Sequence, residues 1–138
     1  MIIMVMDGQG GGIGATIIKR LRENFGQGLE ILALGTNSIA TSRMMKSGAN
    51  RGATGENAIV QTSKKVDLII GPLAIIMANA MMGEVTPEMA EAVCTSEARK
   101  VLIPLTQEKV KVVGVTSEPL PHLVDQVIDR IKERLDHV

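Results

Sequence analysis

A glycine turn near the start of the chain constrains the fold more than any other stretch. Residues 7 to 15 read Asp-Gly-Gln-Gly-Gly-Gly-Ile-Gly-Ala, with five glycines in seven positions. The turn follows the apolar run Ile2-Ile3-Met4-Val5-Met6. It opens into Ile13, Ile17, Ile18 and Leu21, apolar at helical spacing, while Lys19, Arg20, Arg22 and Glu23 fall on the opposite face. A buried strand that passes through such a turn into an amphipathic helix is the first half of a βαβ unit, and that unit commits the chain to a parallel sheet with helices on its faces.

The rest of the chain continues the alternation. Glu30 to Leu34 reads as a second strand, and Gly35-Thr36-Asn37-Ser38 as a turn that caps a helix over Ile39 to Lys46. A weak third strand falls at Ala49 to Thr54, a helix at Gly55 to Lys65, and a buried central strand at Val66 to Ile70, ended by Gly71-Pro72. Leu73 to Met82 carries no charge and, as a helix, would need cover on more than one face. Thr86-Pro87-Glu88 is a helix start with a capping hydroxyl, a proline in the first turn and an acid at the positive dipole end. Val101 to Leu105 and Val110 to Val115 read as strands joined by only Thr106 to Lys109, a link too short for a parallel crossover, so an antiparallel hairpin is expected. After Pro119 and Pro121, an apolar stripe of Leu123, Val124, Val127, Ile128, Ile131 and Leu135 predicts a final helix. The expected fold is a single α/β domain over residues 1–138. It is a three-layer sandwich with a Rossmann-like, mostly parallel sheet and an antiparallel C-terminal edge strand.

Composition narrows the function classes. Fifteen basic and fifteen acidic residues cancel, and no dense Lys/Arg cluster or aromatic platform is present, which argues against nucleic-acid binding. One cysteine, Cys94, allows no intramolecular disulfide, and the chain enters a strand without a basic leader, so a cytoplasmic protein is expected. The longest uncharged run, Leu68 to Gly83, is interrupted by Gly71-Pro72 and is shorter than the roughly 20 residues that span a bilayer, so no membrane segment is expected. One Phe and no Tyr or Trp remove base-stacking surfaces and tyrosine-based acid/base chemistry.

The glycine turn carries the chemistry. Glycines at the end of a strand let the backbone approach a ligand, and free N–H groups at the following helix N-terminus favour an anion. The same turn could serve close helix–strand packing alone. The spacing Gly8, Gly12, Gly14, with Ile13 between the last two, resembles the cofactor turn of the short-chain dehydrogenase/reductase family, usually Thr-Gly-x-x-x-Gly-Ile-Gly. That resemblance makes Gly8, Gly12 and Gly14 the cofactor glycines. Asp7 stands where the family has Thr, and the family's Tyr-x-x-x-Lys catalytic pair is absent, so its reductase activity is excluded.

The whole chain is also similar to an uncharacterised family of small Rossmann-like bacterial proteins carried as a domain of unknown function. Ala33-Leu34-Gly35-Thr36-Asn37, Gly48-Ala49-Asn50, Ala53 to Ala58 and Ile103-Pro104-Leu105 carry that resemblance beside the glycine turn. It implies the fold and no activity.

At the end of the second strand no acid is present to accept ribose hydroxyls. Thr36, Asn37, Ser38 and Ser42, with Arg43 one turn on, suit a phosphate, which leans towards NADP over NAD; an ordinary capping turn is the alternative. Thr54, Gly55 and Asn57 form a second candidate, with Glu56 as a possible base, or else a structural turn capped by Thr54. Loops after parallel strands gather at one edge of the sheet. The candidate ligand contacts are therefore Asp7, Gly8, Gln9, Gly10, Gly11, Gly12, Ile13, Gly14, Gly35, Thr36, Asn37, Arg43, Thr54, Gly55, Asn57, Gly71 and Pro72.

No His/Cys/carboxylate set has metal spacing; His122 and His137 read as surface residues and Cys94 as a small core residue. Methionines 44, 45, 77, 81, 82 and 89 suit core packing, or a homodimer interface where they gather on Leu73 to Met82. The leading expectation is a small nucleotide-binding protein of NAD(P) type. The alternative is a regulatory or interaction module that takes another anionic metabolite, or a protein partner through the Met-rich face. A third reading is an enzyme that pairs Asp7 with Glu56.

Overall fold

A computed structural model describes residues 1–136 of the chain. Its sheet has five strands: β1 (Ile2–Asp7), β2 (Glu30–Gly35), β3 (Arg51–Thr54), β4 (Leu68–Pro72) and β5 (Arg99–Ile103). They lie in the order β3-β2-β1-β4-β5, and every pairing is parallel. Five α-helices connect or follow them: α1 (Gly12–Phe25), α2 (Ser38–Lys46), α3 (Glu56–Thr62), α4 (Pro87–Thr95) and α5 (Leu120–Asp136). This is a doubly wound, three-layer α/β fold of Rossmann-like type.

Parallel strands are buried on both faces, so central ones must be apolar throughout. β1 is buried from Ile3 to Asp7 and β4 along its whole length, whereas edge strand β3, Arg-Gly-Ala-Thr, is exposed at every position. The two-residue period of β1 divides the core. Ile3 and Val5 face Ile17, Ile18 and Leu21 of α1, Met44 of α2 and the stripe Leu123, Val124, Val127, Ile128 and Ile131 of α5. Met4 and Met6 face the opposite layer, with Ile59 of α3 and Met89 and Val93 of α4. The caps follow the local sequence: Asn37 Oδ1 accepts the Ala40 amide at 2.9 Å and Thr86 Oγ1 the Met89 amide at 3.2 Å.

Two expected elements are corrected. The antiparallel C-terminal edge strand does not form: β5 is the edge, parallel to β4, and Val110 to Val115 runs outside the sheet, with Val113 93% exposed. The link is not folded as a hairpin turn. Pro104 has no N–H to donate to a ladder, and the Glu108 carboxylate instead accepts the Met81 amide at 2.8 Å. The second correction is Leu73 to Met82, where only a single 3-10 turn forms, Leu73–Ile76. The chain then doubles back, with Asn79 N–H to Val85 O at 2.7 Å and Val85 N–H to Ala80 O at 3.1 Å. This fold-back buries Ala74, Ile75, Ala80 and Val85 in the second core cluster, which one helix surrounded by apolar side chains could not do from a single position.

The layered core and the exposed valine segment predict opposite mutational responses. Ile18→Ala should cost about 2–5 kcal/mol in urea unfolding, whereas Val113→Asp should stay within about 0.5 kcal/mol of the parent. A large loss in Val113→Asp would mean that this segment is packed after all.

Candidate functional site

The site begins with a buried acid. Asp7, the last residue of β1, is 3% exposed. Its Oδ1 accepts the Gly8 amide at 2.8 Å and its Oδ2 the Gly14 amide at 2.7 Å. Burial pushes the Asp7 carboxyl above its ordinary pKa; the amides of Gly14, Gly8 and Ile13 pull it back in part, and nearby Glu84 raises it further. The loop is thus braced by its own aspartate, with Gly11 N–H to Gly8 O at 2.9 Å closing the turn inside it.

The glycines divide by what surrounds them. A Cβ on Gly8 would run into Thr36 Oγ1 and Met81 Sδ, and one on Gly14 into Met44 Sδ. Gly11 has φ +73° and a Cβ there would sit 2.7 Å from Ala40 Cα. These three serve close packing. Gly10 and Gly12 are different: the nearest atom to a Cβ on either is Arg43 Nη1, at 3.9 and 3.3 Å. Their amides have no acceptor among the described residues. The backbone therefore stands bare where it faces a guanidinium, and Arg43 Nη1 itself reaches Gly10 O at 3.4 Å.

A cleft of about 900 Å³ opens over this loop. It lies at the carboxyl ends of β1 and β4, where the chain reverses its winding direction and where ligands enter open α/β sheets. The cleft is lined by Thr16, Arg43 and the loop, by Pro72 at the end of β4 and Ala74 after it, and by Asn79, Met81 and Met82 with Leu105 to Glu108 and Leu120.

The segment Met77 to Val85 crosses this edge in strained backbone. Asn79, Met81 and Met82 have φ of 68°, 57° and 57°, the left-handed region that costs non-glycine residues about 1–3 kcal/mol each. Two carboxylates hold it there. Glu108 takes the Met81 amide, and Glu84 spans to the opposite side: its Oε1 accepts the Gln9 amide at 2.8 Å, Thr36 Oγ1 at 2.7 Å and Asn37 Nδ2 at 2.8 Å. Partial burial raises the Glu84 pKa, but these three donors outweigh it and hold the carboxyl below its ordinary value.

Of the residues expected at the site, Asp7, Gly8, Gln9, Gly10, Gly11, Gly12, Ile13, Arg43 and Pro72 line the cleft. Gly14 lies behind it, on Met44. Thr36 and Asn37 adjoin the loop and bond to Glu84, and Gly35 packs under Thr41. Gly71 is a packing residue whose Cβ would meet Met6 O.

Thr54, Gly55 and Asn57 are not brought into the cleft. Thr54 Oγ1 pairs with Thr41 Oγ1 at 2.7 Å, and Glu56 accepts Thr86 Oγ1 at 2.5 Å, so it faces Thr86 and not Asp7. Cys94 is exposed, a correction to its core assignment; His122 is exposed, and His137 lies outside the described residues. Met44 and Met89 are buried while Met45 and Met82 are exposed, so the methionines do not form one face.

The sequence reading missed Glu84, Met81, Asn79 and Glu108. Glu84 carried a signal: it is the sole charged residue between Asp67 and Glu88, in a run otherwise suited to the core. Among the described residues there is no cluster of His, Cys, Asp or Glu that could hold a metal, and no helix long and apolar enough to cross a membrane.

Comparisons with known proteins come to three findings. A family model described as a domain of unknown function (DUF3842) matches residues 2–136. A search of curated proteins returned no match. Among solved structures, the chain is similar to a dodecameric FMN-dependent Ubix-like decarboxylase from Escherichia coli O157:H7, at 15% identity over 95% of this chain and 93% of that one, with a TM-score of 0.48.

Two outcomes check the geometry. Gly11→Ala should lose about 1–3 kcal/mol, from its left-handed φ and from Ala40, while Gly10→Ala stays within about 0.5 kcal/mol; equal losses in urea unfolding would contradict the division between them. For Glu84 the sign follows from a lowered pKa. Its bonds are fully present above the ordinary glutamate value of about 4.3 and are lost as the pH falls through the lower folded value. The Asn37 side-chain amide resonance should therefore shift with a midpoint below the ordinary glutamate range, and Glu84→Gln should abolish that titration.

Proposed function

The chain belongs to the family described as a domain of unknown function (DUF3842), and from the geometry of its cleft we propose that it binds a nucleotide-type small molecule by its phosphate at the glycine loop. The observation that carries this reading is the bare pair of amides at Gly10 and Gly12 beside the Arg43 guanidinium, at the mouth of a cleft of about 900 Å³. Backbone N–H groups at a helix N-terminus and an arginine fork are both matched to phosphate oxygens. Asp7 does not oppose this, because its oxygens are turned into the loop and bonded there. Met81, Met82, Leu105 and Leu120 offer an apolar wall for the body of the ligand. An NAD(P)-type dinucleotide is the ligand suggested by the glycine spacing; the cleft itself supports the coarser class.

Self-association belongs to the same proposal, through a different surface from the methionines. Val110, Val112, Val113 and Val115 stand out from the fold at 39–93% exposure and supply the unpartnered apolar area that self-association would cover.

Thermal unfolding in the presence of NADPH, NADH, FMN, FAD, ATP or coenzyme A tests the ligand class. A ligand at about 100 times its dissociation constant adds about 2.7 kcal/mol, a rise of several degrees for a domain of this size. At least one of these should raise the melting temperature, and both Gly12→Asp and Arg43→Gln should remove the rise. If none stabilises the protein, or if the rise survives both substitutions, the glycine loop is not the binding site.

A further inference from the structure

Resting on that phosphate site, we propose that Glu84 restricts it to one nucleotide: the ligand is a mononucleotide or comparable phosphomonoester, and the half of the crevice that would take a second nucleoside is closed. A dinucleotide on a sheet of this order straddles β1 and lays one nucleoside over the carboxyl end of β2, where polar groups read its ribose. Here the groups at that place are Thr36 and Asn37, and both donate to Glu84 Oε1. The same oxygen accepts the Gln9 amide, so the carboxylate joins the glycine loop to the end of β2 across the line that a second nucleoside would follow. Met81 Sδ closes in on Gly8 beside it.

Charge and donor number agree with this closure. A 2′-phosphate at the end of β2 would meet the Glu84 carboxylate, and the nearby cation, Arg43, is turned to Gly10 and Gly12 instead. Asp7 engages the amides of Gly8 and Gly14 and Glu84 that of Gln9. The bare pair at Gly10 and Gly12 suits one phosphate group. The open volume extends the other way, past Pro72 and Ala74 towards Leu105, Gln107 and Leu120.

Matched ligand pairs test this on the intact chain by isothermal titration: nicotinamide mononucleotide against NAD, FMN against FAD, and AMP against NAD. Each dinucleotide contains its mononucleotide partner and adds a second nucleotide. In the unmodified protein, the mononucleotide of at least one pair should bind at least tenfold more tightly than its dinucleotide, with Gly12→Asp abolishing the binding. In Glu84→Ala the gap should shrink at least threefold.

A dinucleotide that binds as tightly as its mononucleotide in the unmodified protein, but still requires Gly12, overturns the restriction and leaves the phosphate site standing. A gap unchanged in Glu84→Ala overturns the role of Glu84. Failure of every pair to bind, or binding indifferent to Gly12→Asp, overturns the phosphate site itself and the restriction with it. The comparison in the unmodified protein needs no variant to fold.

Discussion

The Asp7 carboxylate, 3% exposed at the end of β1, accepts the amides of Gly8 and Gly14 and so ties the last residue of the central strand to the first turn of α1. A carboxyl group at that depth persists only where hydrogen-bond donors surround it, and the donors here are the Gly8 amide of the turn and the Gly14 amide, one of those that a helix start leaves unpaired. Much of the neighbourhood follows. Because Gly14 must reach the carboxylate, α1 sits close on the sheet, and Met44 of α2 packs where a side chain at position 14 would have been. With the amides of Gly8, Gln9, Gly11 and Gly14 engaged, those of Gly10 and Gly12 are left without an acceptor among the described residues, and both glycines line the cleft beside Arg43.

A second level of order comes from the loop between β4 and α4. Its backbone is held in left-handed conformations at Asn79, Met81 and Met82 by two acids that bond in opposite directions, Glu84 to the glycine loop and β2, Glu108 from beyond β5 to the Met81 amide. Strain of this kind persists only where surrounding contacts over-determine it, and it gathers at places that bind ligands. The cleft is thus built from segments far apart in the chain: the loop after β1, one arginine from α2, and the segments after β4 and β5.

Local elements could be read from the chain wherever local interactions set them. The first helix, expected from the spacing of Ile13, Ile17, Ile18 and Leu21, runs from Gly12 to Phe25; Asn37 and Thr86 cap their helices as their types predict. The final helix follows its apolar stripe, with Leu135 alone exposed. Readings failed where a distant contact decided. The spacing from Val101 to Val115 fits a hairpin, yet Glu108 is drawn to Met81 and the valines stay outside the sheet. Leu73 to Met82 is apolar enough for a buried helix, yet the turn back to Val85 buries Ala74, Ile75 and Ala80 and leaves Met82 exposed.

The sequence by itself determined the βα alternation, the parallel sheet and the place of the glycine loop, because strand burial, helical periodicity and capping are set by neighbours within a few residues. It also pointed to Arg43, in the helix after β2, and to Pro72, the last residue of β4, which the fold brings to one edge. Only the tertiary structure decided which glycines pack and which stand bare, that Asp7 braces the loop from within, and that Thr36 and Asn37 answer to Glu84. The Asp7 bonds span only one and seven residues but form only once β1 and α1 are packed together; the bonds among Glu84, Gln9, Thr36 and Asn37 join groups 28 to 75 residues apart, and no local pattern encodes such a meeting.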